Sequence, residues 1–110
     1  MTPRSATRLL DDILTAIDRI RAYRASAPDV PSDLVADAVL RRLAIIGEAA
    51  AQLDNADRAR APEVPWGDII GLRNRVVHDY DQLDWEIIDD VIDNDLALLA
   101  RSLRALADDP

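Results

Sequence analysis

The fold of this 110-residue chain is decided by residues 32–53, which read SDLVADAVLRRLAIIGEAAAQL. Apolar residues recur there every three or four positions, the spacing of one face of an α-helix. These residues are Leu34, Val35, Ala38, Val39, Ile46, Ala49, Ala50 and Leu53. Ser32 is the candidate N-cap. The apolar surface is wider than a narrow stripe, so we infer that a second protomer buries part of it. Small residues within 45–50 would let another helix approach closely.

Three further helical segments surround the central one. The first begins at Thr2, a candidate N-cap followed by Pro3, and ends before Pro28. A third helix is expected over residues 66–80, and a fourth follows the candidate cap Asp84. The apolar faces are Leu9, Leu10, Ile13, Ile17 and Ile20 in the first, Ile69, Ile70, Val76 and Val77 in the third, and Trp85, Ile88, Val91, Ile92, Leu96, Leu99, Leu103 and Leu106 in the fourth.

The remaining segments are connections. Residues 55–65 are polar and bounded by prolines, which indicates a loop, and residues 81–83 form a turn. No segment alternates between apolar and polar residues, so no strand is expected. The sequence therefore predicts an all-α, up-down bundle of four main helices that forms a homodimer. At this length we expect one domain over residues 1–110, with its core at about residues 8–106.

The composition excludes several kinds of chemistry. The chain has no Cys and no Lys, which removes disulfides, thiol nucleophiles and Schiff-base lysines. Its one histidine, His78, cannot provide a two-histidine pair or a multi-histidine zinc site within a monomer. The net charge of −8 is opposite in sign to that of most nucleic-acid binders. Because no run of about 18 apolar residues and no signal-peptide pattern is present, we expect no membrane span and a cytoplasmic protein.

The densest cluster of chemically active side chains is residues 73–80, RNRVVHDY. On a helix with about 100° per residue, Asn74 and His78 share one face, and Arg73 and Tyr80 share another. Arg73 and His78 are five residues apart and thus about 140° apart around the axis. They flank one groove if the helix loosens near His78 or if two chains share the site. Because Arg binds phosphate bidentately and His moves protons near neutral pH, this cluster is a candidate anion site.

Structural roles are the alternative for these residues. A lone His on a helix is more often structural or exposed than catalytic, and Tyr80 is more often a core aromatic. Glu48 lies inside an apolar segment, where a buried carboxylate needs a partner, either for structure or to order the site. The candidate partners are Arg41, Arg42 and Arg73.

Four carboxylates in the fourth helix resemble a metal cluster at first sight. They are Asp89, Asp90, Asp93 and Asp95. Their spacing scatters them around the helix axis, so we interpret them as a solvated face and expect no metal.

The cluster at residues 73–80 resembles the R-x4-H-x-Y signature of HEPN domains, a superfamily of all-helical ribonucleases. The rest of the chain narrows the resemblance to the HepT-like toxins. The matching stretches are Asp37-Ala38-Val39, Arg41-Arg42-Leu43, Ile45-Ile46-Gly47-Glu48-Ala49, Val64-Pro65-Trp66, Ile69-Ile70-Gly71-Leu72-Arg73-Asn74 and Asp84-Trp85. Together they cover about residues 8–104 in the family's order and spacing.

This resemblance implies a bacterial toxin whose homodimer brings the two R-x4-H-x-Y segments together in a composite ribonuclease site that needs no metal and no cofactor. Arg73 and His78 would be the catalytic pair, and Asn74 the polar residue after the motif Arg, while Glu48 is a supporting candidate. The implied partner is a small MntA-like nucleotidyltransferase antitoxin that transfers AMP to Tyr80. The implied substrate is RNA, with tRNA expected and mRNA as the alternative.

Two positions depart from the family pattern. Asp79 stands where many relatives have Gly, and an acid there would favour the charged form of His78 or repel a substrate phosphate. Leu72 stands where an aromatic residue is frequent, which should change packing only. Two other functions remain open: a non-catalytic nucleotide-binding or nucleotidyltransferase-docking module, and a purely structural dimerisation bundle. The presence of both Arg73 and His78 favours the enzyme.

Overall fold

The computed structural model of the protein describes residues 5–108, with side chains described up to residue 106. This part of the chain is helical and contains no strand, which confirms the predicted all-α bundle. Its α-helices are α1 (Ala6–Ala25), α2 (Ser32–Gln52), α3 (Asn55–Ala59), α4 (Trp66–His78), α5 (Trp85–Asp90) and α6 (Leu96–Asp108). A 3₁₀ turn (Tyr80–Gln82) follows α4, and a π-helical turn (Val91–Asp95) joins α5 to α6.

Helix α2 lies at the centre, because α1 and α4 both pack along it. Two helices of the same chain therefore cover much of its apolar surface, and burial of a further part by a second protomer stays a prediction. The approach of α4 is closest at Gly47, where a Cβ atom would lie 2.8 Å from the backbone nitrogen of Arg73 and 3.1 Å from the carbonyl oxygen of Ile69. This confirms that small residues in this part of α2 admit another helix. Leu34, predicted on the apolar face, is 56% exposed, because it lies in the first turn of α2.

The core draws on every long helix. Its fully buried large side chains are Ile13, Ile17, Ile20, Leu43, Ile46, Ile69, Leu72, Ile88, Leu96, Leu99 and Leu103. The predicted faces of α1 and of residues 85–106 therefore supply much of the core, although Trp85 is 39% exposed at the start of α5. Along residues 5–108, no helix is both long and apolar enough to cross a lipid bilayer. That residues 1–110 form a single domain stays a prediction.

Two predicted N-caps differ from the structure. Thr2 and Pro3 lie outside the described residues, and within them α1 begins at Ala6, with the Ser5 hydroxyl accepting from the backbone N–H of Arg8. Ser32 is not a cap but the first residue of α2. Pro31 takes the N-cap position with φ −52° and ψ 137°, and its carbonyl accepts the first helical hydrogen bond, from the N–H of Val35.

The segment 55–65, predicted as a loop, contains the short helix α3. Asp54 caps this helix, because its carboxylate accepts from the backbone N–H of Asp57 at 2.8 Å. The indole N–H of Trp66 donates to the carbonyls of Arg58 and Ala61, both at 3.0 Å. These bonds fasten the connection to the first residue of α4. Ala61 and Val64 are buried against the core.

Helix α4 ends at His78, two residues earlier than predicted, because Asp79 leaves the helical conformation with φ −113° and ψ 16°. Its buried side chains are Ile69 and Leu72. Val77, predicted on the apolar face, is 54% exposed. The N-cap prediction at Asp84 is confirmed, since its carboxylate accepts from the backbone N–H of Glu86 at 2.9 Å.

Candidate active site

A groove of about 530 Å³ between α1, α2 and α4 contains the first predicted catalytic residue. Arg73 lines this groove from α4, and Arg41 and Glu48 line it from α2. The remaining lining residues are Asp12, Ala44, Ile45, Ala49, Gln52 and Val77. Two guanidinium groups therefore border one groove, an arrangement that suits a ligand with phosphate groups.

Glu48 holds Arg73 in this groove. The Nε atom of Arg73 lies 3.0 Å from Oε2 of Glu48. Arg42, another candidate partner, instead donates from its Nε to the hydroxyl of Tyr23 at 3.3 Å. The expectation that Glu48 is buried is wrong: its side chain is 59% exposed, since it lies on the groove side of α2 while Gly47 and Ala49 are buried.

The energetic role of this ion pair is small. Both side chains are at least half exposed, and an exposed pair contributes less than about 1 kcal/mol to stability. The main effect of the pair is therefore to fix the orientation of the Arg73 guanidinium. A guanidinium group has five N–H donors, more than one carboxylate oxygen can use, so donors remain for a phosphate.

His78 is the last residue of α4, and its side chain is exposed. Among the residues that the structure describes, it is not part of the lining of the Arg73 groove. Because α4 stays helical through His78, the two residues are about 140° apart around the axis and about 7.5 Å apart along it. One chain therefore does not bring Arg73 and His78 into one cavity. Asn74 lies one turn before His78 on the same face and is exposed as well.

Tyr80 lies beyond α4, in the 3₁₀ turn. The prediction that it shares a helical face with Arg73 is wrong, because the helix ends first. Its hydroxyl donates to Oδ1 of Asp37 in α2 at 2.8 Å, and its side chain is 53% exposed. This hydrogen bond, followed by the negative charge of Asp37, raises the pKa of Tyr80 above its ordinary value, because both favour the neutral phenol.

A second cavity of about 240 Å³ lies beside the Tyr80–Asp37 pair. The other lining residues are Asp33, Ala36, Leu40, Leu83 and Trp85. Tyr80 and Arg73 thus border different cavities. The Tyr80 cavity lies beside the first half of α2, and the Arg73 groove lies beside its second half.

The four acidic residues of the last helical stretch are not part of the lining of either cavity, and three of the four are exposed, as predicted for a solvated face. Asp93 accepts from Arg24 at 2.8 Å, and Asp89 lies 4.0 Å from the same guanidinium. Within residues 5–108, no three side chains of His, Asp or Glu are arranged to hold a metal ion.

Two residues of these sites were not assigned a role from the sequence. Asp37 meets Tyr80 across 43 positions of chain, and no local spacing predicts such a contact. From the sequence, Arg41 is a candidate partner of Glu48 and has no other role. Its position four residues after Asp37 and seven before Glu48 places all three near one side of α2, and this spacing is the signal in the sequence that points to them.

Comparisons with known proteins agree on one family. The family model described as "Ribonuclease HepT-like" matches residues 13–106. The chain is 30% identical over 108 residues to a protein of Thermococcus cleftensis named "Probable ribonuclease HepT", a match that covers 94% of this chain and 96% of that protein. It is 27% identical over 107 residues to a protein of Methanocaldococcus jannaschii named "Putative RNase MJ1380", covering 94% and 98% of the two chains. No solved structure matches the chain significantly.

Proposed function

Because this chain belongs to the HepT-like ribonuclease family, we propose that it is the toxin of a bacterial toxin–antitoxin pair and cuts RNA in the cytoplasm. Family membership makes it a ribonuclease. The proposal adds the site: Arg73 of one protomer acts together with the partner subunit's His78, without a metal. It also adds the control of that site, which is the transfer of AMP to Tyr80 by an MntA-like nucleotidyltransferase antitoxin.

The observation that carries a shared site is the placement of Arg73 and His78 on one regular helix. Since α4 does not loosen before His78, the imidazole and the guanidinium point to different sides of the same chain. A two-fold axis beside α4 removes this obstacle, because it places each motif residue next to the other protomer's copy of the motif.

An exposed apolar residue supports a dimer at this face. Val77 borders the Arg73 groove and is 54% exposed. In an isologous dimer the same patch meets itself, so Val77 would be buried against its own copy. Burial of exposed apolar area is the main driving force of association. The same contact brings the two grooves toward each other.

The chemistry needs only proton transfer and charge neutralisation. The RNA 2′-hydroxyl oxygen attacks the adjacent phosphorus, and the bond from phosphorus to the 5′ oxygen breaks. His78 acts as general base on the 2′-hydroxyl or general acid on the leaving 5′ oxygen. Arg73 stabilises the non-bridging oxygens of the transition state. The products are a 2′,3′-cyclic phosphate and a 5′-hydroxyl.

Two further residues support this pair. Asn74 lies on the His78 face and orients the imidazole or the phosphate. Glu48 fixes the Nε side of the Arg73 guanidinium at 3.0 Å. The second cation of the groove, Arg41, gives the polyanion a further contact. The net charge of −8 keeps nonspecific affinity for RNA low, which suits a toxin that selects a structured substrate such as tRNA.

Tyr80 is a suitable acceptor for AMP because its side chain is 53% exposed. Transfer joins the phenol oxygen to the α-phosphorus of ATP and releases pyrophosphate. The added nucleotide brings bulk and negative charge two residues from His78, and both oppose the binding of an RNA phosphate. Intact mass after incubation with ATP and the antitoxin tests this step. An AMP-sized gain lost in Tyr80→Phe is expected, and an equal gain in that variant would contradict it.

RNA cleavage in EDTA tests the catalytic assignment. We expect His78→Ala to lower the rate by about 10²–10⁴, the contribution of a general acid or base. Arg101→Ala, an exposed cation of α6, is the matched control and should cleave at the wild-type rate. Expression of the wild type should stop growth, and His78→Ala should not. Wild-type cleavage by His78→Ala would overturn the mechanism.

A further inference from the structure

The hydrogen bond between Tyr80 and Asp37 ties the turn after α4 to α2. The phenol oxygen of Tyr80 lies 2.8 Å from Oδ1 of Asp37. Tyr80 is the first residue of the turn and follows His78 by only two positions. The Glu48–Arg73 ion pair is a similar contact: it links α4 to α2 five residues before His78. His78 therefore stands between two polar links from α4 and its following turn to one supporting helix.

Among the described residues, no contact of the His78 side chain itself fixes the position of its imidazole. Within residues 5–108, its exposed side chain makes no hydrogen bond or ion pair, so its place depends on the backbone on either side. On the upstream side, α4 packs tightly on α2 at Gly47. On the downstream side the helix ends at once, and the position of the backbone is set by the turn that follows.

That turn is held at its two ends. The backbone N–H of Gln82 donates to the carbonyl of Asp79 at 2.8 Å, which closes the turn on itself. Leu83 is half-buried and packs against the core, which anchors the far end. The Tyr80 side chain anchors the near end of the turn through its hydrogen bond to Asp37 in α2.

We propose that Asp37 is a positioning residue for RNA cleavage: by accepting a hydrogen bond from the Tyr80 hydroxyl, it fixes the turn that holds His78 in its productive place. This inference rests on the proposed catalytic role of His78. It gives the tyrosine of the motif a function in the active enzyme, before any modification.

The same hydrogen bond gives the modification of Tyr80 a second effect, besides opposing the binding of an RNA phosphate near His78. A phosphodiester on the phenol oxygen has no proton to donate, so the bond to Asp37 is lost. The new phosphate also carries a negative charge, which the Asp37 carboxylate repels at this distance. Transfer of AMP therefore releases the turn and withdraws His78.

Four variants test the link in unmodified protein, with total bacterial RNA as the substrate. Asp37→Ala and Tyr80→Phe each remove the hydrogen bond without adding bulk. We expect each to lower kcat about tenfold with KM within about twofold, since the substrate-binding arginines are untouched. The double variant should be no slower than either single variant. Asp37→Asn keeps an acceptor oxygen and should recover most of the rate.

Asp33→Ala is the matched control, because Asp33 lines the same cavity and, within the described part of the chain, makes no hydrogen bond to Tyr80. It should cleave at the wild-type rate. Circular dichroism and thermal unfolding should be alike in all variants, since the bond is exposed. A wild-type kcat in Asp37→Ala would overturn the proposal. So would a double variant whose loss of kcat is the product of the two single losses, or an Asp37→Asn variant as slow as Asp37→Ala.

The failure of this inference is separable from that of the proposed function. If His78→Ala is inactive and Asp37→Ala cleaves like the wild type, only the positioning role falls. If His78→Ala cleaves like the wild type, the catalytic assignment falls, and the positioning role falls with it.

Discussion

Gly47 in α2 stands against the backbone nitrogen of Arg73 in α4: a Cβ atom at position 47 would lie only 2.8 Å from it. The neighbour at that distance is main chain, which has no rotamer by which to move away. Two carbonyl oxygens of α4, of Ile69 and Ile70, would stand at 3.1 Å and 3.2 Å from the same atom. The residue that carries the guanidinium is therefore placed by a helix contact that only glycine permits.

Gly47→Ala should push α4 away from α2. We expect it to lower the free energy of unfolding by about 1–3 kcal/mol, the usual effect of overpacking, and to reduce cleavage by displacing Arg73. Urea denaturation measures the first effect. Gly71→Ala is the control: nothing lies within 4 Å of its added Cβ atom, so helix propensity should raise stability by up to about 1 kcal/mol. Equal effects of the two substitutions would contradict the close contact.

Glu48→Ala should separate orientation of the Arg73 guanidinium from stability of the fold. Loss of the carboxylate leaves the Arg73 guanidinium free to rotate, so we expect cleavage to fall about fivefold while stability changes by less than about 1 kcal/mol. Asp18→Ala provides the control, because it breaks a similarly exposed pair with Arg104 at 3.3 Å, away from the groove. The assignment of Glu48 to the site fails if both variants cleave RNA alike.

Arg41→Ala should weaken RNA binding without slowing the chemical step. Each lost contact between a cation and a phosphate lowers the slope of log affinity against log salt by about 0.7 for single-stranded RNA. Binding of RNA to the inactive His78→Ala background, titrated at several salt concentrations, measures this slope. Arg101→Ala in the same background should leave it unchanged. An unaltered slope for Arg41→Ala would show that no phosphate reaches Arg41.

The phenol of Tyr80 should ionise at higher pH than an ordinary tyrosine, whose pKa is about 10. Asp37 raises the pKa of Tyr80 chiefly by accepting a hydrogen bond from its hydroxyl, which favours the neutral phenol. The stabilisation is therefore fully present below the unfolded pKa and is lost as the pH rises through the raised folded value. Absorbance at alkaline pH, taken as the difference between wild type and Tyr80→Phe, reports this ionisation. Asp37→Ala removes both the acceptor and its charge and should lower the pKa of Tyr80, and no movement would contradict the contact.

The prediction of helices from the sequence was most accurate where a helix buries one continuous apolar face. The three- and four-residue spacing located α1, α2 and α6, because each lays one continuous apolar face on the core. It missed α3, since five residues under an Asp54 cap show no periodic face. It also missed the π-helical turn, in which the Leu96 N–H donates to the carbonyl of Val91, because this irregularity depends on packing.

The candidate site was predicted in its residue types but not in its geometry. Motif spacing identified Arg73 and His78, yet the end of α4 at His78 separates Tyr80 from the Arg73 face. The prediction that Glu48 is buried is wrong because the sequence shows its apolar neighbours but not the groove that opens beside it between α1, α2 and α4. Asp37 and Tyr80 meet only through tertiary packing.

Heterodimers of one Arg73→Ala chain and one His78→Ala chain test most directly whether two protomers share each site. Co-expression with two different affinity tags and purification through both gives this species free of either homodimer. Each homodimer should be inactive. The heterodimer retains one intact pair, from Arg73 of one chain and the partner subunit's His78, and should cleave RNA at about half the wild-type rate. A heterodimer as inactive as the two homodimers would contradict the shared site.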